Sequence, residues 1–250
     1  VPETLAALRG ELVKLRRVRG TFLALLLFAP VSLGIGALDG VSARSALDAH
    51  NPLLRADFTP EQTGLDGIQY GQLALIVFAV LAVAGEYGSG LLRTSLLAVP
   101  DRGRLYLAKT VATALAALAV GAPVTVAGYL VTQCALGPHG AGLGAAGVPV
   151  ALLGAACYLV LMSLFAAGLA AAARNAVVPL VVLLPMVLAG SHLLSLLGAT
   201  RQLAHYLPDR AGAELLTVGS HDQLRGLLVL SAWTAAALAL GLLRLRRWDG

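Results

Sequence analysis

Charge is scarce in this chain: 12% of its 250 residues are Asp, Glu, Lys or Arg, while 58% are hydrophobic and the mean hydropathy is +0.82. That balance lies far outside the soluble range and excludes a water-soluble globular domain. Cysteine is sparse too. Cys134 and Cys157 both fall in apolar stretches with no ligand motif around them, so buried structural thiols are expected rather than a disulfide or a metal site. Carboxylates and bases are missing from the middle of every long apolar stretch. An ion-coupled carrier keeps such groups near the bilayer midplane, where an uncompensated charge costs ~2.5–3.5 kcal/mol. The chain has no G-x-x-x-x-G-K-[ST] phosphate loop, and no H-E-x-x-H, G-x-S-x-G or pair of membrane aspartates that would mark an intramembrane enzyme. His192, with only Ser191 and Ser195 near it, reads as a polar residue lining a cavity.

What is present is apolar and long. A bilayer-spanning helix needs ~20 mostly apolar residues, because its backbone groups must pair within the segment. Six stretches qualify, at 21–38, 68–84, 110–135, 148–173, 176–197 and 227–243, and none contains an Asp, Glu, Lys or Arg. Barrel strands would instead show ~10-residue alternating segments. The expected fold is therefore an all-α integral membrane protein with six transmembrane helices in one domain. Lys and Arg orient it, since cytoplasmic flanks carry the excess of positive charge. Thirteen of the 18 fall on the side of the termini, from Arg9, Lys14, Arg16, Arg17 and Arg19 through Arg93, Arg102, Arg104, Lys109 and Arg174 to Arg244, Arg246 and Arg247. Five fall opposite: Arg44, Arg55, Arg201, Arg210 and Arg225. Both termini are thus expected in the cytoplasm. The net charge of +5 is a topological signal, with a basic patch that also holds anionic lipid headgroups, and not a nucleic-acid footprint. No A-x-A site follows the first span, which is expected to stay in the mature chain.

The connections carry the rest. Residues 39–67 are acidic, with Asp39, Asp48, Asp57, Glu61 and Asp66 and the turn signals Asn51-Pro52 and Thr59-Pro60, and read as a loop-like cap without EF-hand spacing. Residues 136–147 read as a Gly-rich turn, and the 198–226 connection, with Tyr206-Leu207-Pro208 and Leu215-Leu216, as a segment that dips back toward the membrane. At 1–20, Leu5, Leu8, Leu12 and Leu15 recur at helical spacing while Arg9, Glu11, Lys14, Arg16 and Arg17 mostly take other faces, which predicts an amphipathic interfacial helix. Between the second and third spans lies the one long charged inner hairpin, 86–104. Gly85, Gly88 and Gly90 weaken the helix there. Residues 91–99 then form a short helix, ended by Pro100 and the turn Asp101-Arg102-Gly103. Leu92, Leu96 and Val99 share one of its faces, which either meets a socket on a soluble partner or rests on the neighbouring spans and headgroups.

In these segments the chain resembles the permeases of type-2 ATP-binding-cassette (ABC) transporters. The resemblance rests on Glu11-Leu12-Val13-Lys14-Leu15-Arg16-Arg17 leading through Arg19 and Thr21 into the first span, on Glu86-Tyr87, Gly90, Arg93-Thr94, Leu97, Pro100 and Arg102, on Lys109 entering the third span, and on the Arg174-Asn175 reversal. Asp101 departs from it, because the family often has a basic residue there. The resemblance implies a permease subunit of the bacterial cytoplasmic membrane that pairs with a second permease, either a copy or a sibling, and with two copies of a separate ATPase. ATP and magnesium would be held by the ATPase and no cofactor by this chain, which would have no catalytic residue of its own. The hairpin would be the coupling helix, docking on the ATPase through Glu86, Tyr87, Gly90, Leu91, Arg93, Thr94, Leu96, Leu97, Pro100, Arg102 and Arg104. Beside it the amphipathic start would be a connecting helix formed by Leu5, Leu8, Leu12, Leu15, Arg16 and Arg17. The implied function is export of a hydrophobic or amphipathic compound, such as a drug-like natural product. The rival readings are an ion-coupled secondary transporter and a non-transporting membrane immunity or anchor protein of the same fold. Rocking between two states needs sliding helices, for which Ala151, Gly154, Ala155 and Tyr158, Gly168 with Ala172, and Pro123, Pro179 and Pro185 supply close-approach faces and bends.

Overall fold

A computed structural model describes residues 2–49, 58–190 and 206–247. Among them the regular structure is helical, without strands: α1 (Pro2–Arg17), α2 (Arg19–Asp48), α3 (Pro60–Ser89), α4 (Leu91–Ala98), α5 (Arg102–Leu136), α6 (Val148–Ala173), α7 (Val177–Pro185), α8 (Pro208–Ala213) and α9 (Gln223–Arg246). Five of these, α2, α3, α5, α6 and α9, are long and apolar enough to cross a membrane, with mean hydropathies from 1.9 to 2.3. The described part of the sixth stretch is α7 and a π-helical turn, Met186–Gly190. Pro185 lacks an N–H and crowds the preceding turn, which accounts for the change of winding. Residues 191–197 of that stretch, with Ser191, His192 and Ser195, lie outside the described residues.

Helix starts follow local chemistry. Pro60 and Pro208 stand at the first position of α3 and α8, where a missing N–H costs nothing. Several boundaries differ from the sequence expectation. The 39–67 connection is not mainly a loop: α2 continues to Asp48 and α3 begins at Pro60. A 30-residue helix is ~45 Å long, more than the ~30 Å hydrocarbon core, so charged residues ride on its end. There Arg44 pairs with Asp48 at 3.7 Å, and the His139 ring lies 3.0 Å from the same carboxylate.

The packing has α3 and α6 at its centre, 67% and 56% buried over their apolar windows, with α2, α5 and α9 more peripheral at 33%, 28% and 28%. Small residues let α6 approach its neighbours. Ala151 and Ala155 are fully buried, Gly154 meets the backbone of Leu215, and a Cβ on Gly168 would stand 2.7 Å from the Ala237 carbonyl carbon of α9. Along the last turns of α6, Ala166, Ala167, Ala170 and Ala171 are buried, while Ala172 is half-buried. The segment around α8 runs deep: Leu215 and Leu216 are buried, and Gly212 packs on the Tyr158 ring. Tyr158 is ten residues into α6, ~15 Å along its axis. Cys134 and Cys157 are exposed on the bundle exterior, contrary to the expectation of buried thiols. A thiol behaves as a small hydrophobe and needs no protein cover where the surroundings are apolar.

Candidate functional site

Two tight breaks fold the 86–104 hairpin. Gly90, at φ 73°, ends α3 and opens α4 in the left-handed region that glycine adopts without strain. Val99-Pro100 stops α4, and Asp101 then caps α5, accepting from the backbone N–H of Gly103 at 2.9 Å and of Arg104 at 3.1 Å. Asp101-Arg102-Gly103 is therefore the start of a helix and not a free turn. An acid at this position is accounted for by capping, which a basic residue could not supply.

The hairpin brings Glu86 of α3 opposite Lys109 of α5, and α1 closes over both. The Lys109 ammonium lies 2.7 Å from Glu86 Oε1 and donates to Glu11 Oε2 at 2.8 Å. Lys14 donates to Glu86 Oε1 at 2.8 Å and to Ser95 Oγ of α4 at 3.1 Å, and also pairs with Glu11. Two acids and two bases thus join α1, α3, α4 and α5 in a node of zero net charge. The side chains of Glu11, Glu86 and Lys109 are at most 8% exposed, and Lys14 is 27% exposed. Burial opposes the charge of Lys14, but its bonds to Glu11 and Glu86 outweigh that and hold its pKa above the ordinary lysine value. Glu86 Oε2 is buried without a hydrogen-bond partner, so the node is held by three of its four carboxylate oxygens.

This arrangement adds an inward charged face to α1. Its inward face carries Glu11 and Lys14, while Leu8, Leu12 and Leu15 are half-buried and Leu5 is exposed. Charge turns inward because complementary charge waits there on α3 and α5. On α4, Leu92 is buried, and Leu96 and Val99 pack half-buried against the core, so their shared face rests on the spans. The exposed face is a different one, made of Leu91, Arg93, Thr94, Ala98 and Leu97, which is 83% exposed. Tyr87 is half-buried against the core, and Gly90 and Pro100 are exposed. Arg16 and Arg17 are exposed at the end of α1.

Two arginines fasten the end of α9 to the same region. Arg102 donates to the Arg246 carbonyl at 2.7 Å, and Arg174 to the Arg244 carbonyl at 2.7 Å, satisfying acceptors that a helix end leaves open. Arg174 does so from a left-handed φ of 57°, and Asn175 Oδ1 accepts from Val178 N–H at 2.9 Å, which makes the α6–α7 reversal as tight as its sequence indicated. Arg104 pairs with Asp101 at 3.1 Å. Beside the node, a cleft of about 470 Å³ opens between α1, α4 and the start of α5, walled by Ala6, Gly10, Ala98 and Val99 with Lys14 and Arg104 at its polar edges. Among the described residues no group of three His, Cys, Asp or Glu side chains is placed to hold a metal.

The charges of the node are committed to one another. The fold as a whole is that of an all-α, multi-pass membrane protein. No protein-family model matches the chain, and no curated protein does.

Proposed function

We propose that this chain is the permease subunit of a type-2 ABC exporter, moving a hydrophobic or amphipathic compound through a bacterial cytoplasmic membrane with energy from a separate ATPase. The observation that carries the reading is the charge node, which ties α1, the end of α3, α4 and the start of α5 to one another while leaving the Leu97 face of α4 uncovered. A short helix held this way can pass a push from a soluble partner directly into the two spans it connects. Leu91, Arg93, Thr94 and Leu97 would touch the ATPase, whereas Arg102 and Leu96 would act from behind by holding α5, α9 and α4 in place. The layout proposed is six spans with both termini inside, and the working assembly is two permeases with two ATPases.

Purification of the tagged chain from native membranes is the test: an ABC-type ATPase should come with it in a one-to-one ratio, and its absence from gently solubilised material removes the basis of the proposal. The layout has its own check. In a cysteine-free background, a cysteine at position 93 should react with an impermeant maleimide only after the cells are opened, and a cysteine at position 44 should react in intact cells. Labelling of position 93 from outside contradicts six spans.

A further inference from the structure

The end of α9 gathers five arginines from three places in the chain. Arg244, Arg246 and Arg247 close the helix itself, and all three are exposed. Arg102 of α5 and Arg174, which caps α6, reach the same turn through their bonds to the Arg246 and Arg244 carbonyls, both at 2.7 Å. Those two acceptors stand two residues apart, ~3 Å of axial rise, so the two guanidinium groups flank a single turn. An Arg246 guanidinium nitrogen lies close to Gly103 of α5, 3.6 Å from where a Cβ would stand there. Arg174 Nε is buried without a hydrogen-bond acceptor.

A helix end favours cations, but its macrodipole supplies only about half a negative charge. Against it stand five guanidinium groups, and among the described residues no carboxylate lies within ion-pairing distance of any of them. Asp101, the acid beside them, is engaged by the α5 backbone and by Arg104. In the node of Glu11, Lys14, Glu86 and Lys109 each base is matched by an acid; here the chain supplies no such match. Further into the same spans the surface turns apolar, with Leu240 and Leu243 of α9 and Leu107 of α5 all more than half exposed. We propose that the end of α9, with Arg102 and Arg174, is a binding site for an anionic phospholipid. Its phosphate takes the guanidinium donors, whose forked geometry suits phosphate oxygens, and its acyl chains run along Leu240 and Leu243. A lipid fits better than a soluble anion because the bases crown a membrane-spanning helix, where each adds roughly fivefold to affinity for an anionic leaflet. The site ties the ends of α5, α6 and α9 together at the membrane surface. It requires only that α9 cross the membrane, and so stands apart from the permease reading.

Native mass spectrometry of the full chain in neutral detergent, titrated with phosphatidylglycerol or with phosphatidylcholine, tests the site. The first phosphatidylglycerol should bind about tenfold or more tightly than the first phosphatidylcholine. Arg246→Gln with Arg247→Gln should weaken that binding about tenfold or more, at roughly fivefold per arginine, while lysine at both positions keeps most of it. Retention with lysine separates recognition from misfolding. Removing two exposed arginines at the end of α1 instead, Arg16→Gln with Arg17→Gln, should change it by less than about twofold. Equal loss in the two glutamine variants means diffuse surface charge and overturns the site, as does an absence of preference for phosphatidylglycerol or indifference to the Arg246 and Arg247 changes. Displacement of the lipid by inorganic phosphate at constant ionic strength would assign the cluster to a soluble anion and overturn the lipid. If the Arg246 and Arg247 variant keeps the lipid but loses a co-purifying ATPase, the cluster is a protein contact, and the lipid site is again overturned.

Discussion

Replacing Lys109 by Met is expected to destabilise the protein more than any other single change at the node. The substitution leaves Glu11 and Glu86 buried together with only the partly exposed Lys14 to neutralise them. Removing one partner of a buried ion pair costs about 3–5 kcal/mol, because the remaining charge loses both water and counter-charge. For a chain of this size that is a fall of roughly 10 °C or more in apparent melting temperature, read by thermal unfolding in detergent. Lys14→Met should cost less, roughly 1–2 kcal/mol, since that ammonium is closer to water. The double change Glu86→Gln with Lys109→Gln should recover most of the loss, leaving Glu11 and Lys14 paired. If Lys109→Met and Lys14→Met prove equally mild, the node does not hold these helices together.

Leu97→Asp is expected to release the ATPase while leaving the fold intact. Leu97 is 83% exposed, so a carboxylate there meets water in the free protein and should shift stability by no more than about 0.5 kcal/mol. In the complex the same carboxylate would be buried in a socket shaped for a leucine, and a central apolar anchor is typically worth 2 kcal/mol or more, about thirtyfold in affinity. Pull-down and thermal unfolding on one preparation separate the two effects. Leu92→Asp is the contrasting control. Leu92 is 3% exposed against the core, and its replacement should lower stability and partner binding together. Leu96 is a poor probe of docking alone, because it is half-buried against the same core.

Five long apolar helices were legible in the sequence because each announces itself as an uncharged run of about 20 residues, and that signal needs no tertiary information. Their ends were less legible. Residues 39–48 look like a connection by charge, yet a helix continues into water wherever propensity allows and nothing stops it before Ala49. Pro100 and Gly90 did announce the limits of α4, because their backbone constraints are local. The orientation of α4 and α1 was not readable. A leucine face on a short helix can turn to the core or to a partner, and periodicity alone does not choose. Glu11 and Lys14 look like surface charge in a basic flank until Glu86 and Lys109, 72 to 98 residues further on, are brought beside them. The cue was present in weaker form: Glu86 and Lys109 are isolated charges bordering otherwise uncharged spans, where a charge needs a partner.

The proposed division of labour, with the permease here and the energy source elsewhere, is tested most directly by transport in sealed proteoliposomes. The protein alone should move no amphipathic dye under a proton or sodium gradient. With its co-purifying ATPase it should accumulate the dye when ATP is supplied, and stop when the ATPase's catalytic glutamate is replaced. Uphill transport by the isolated protein, driven by an ion gradient, would contradict the account.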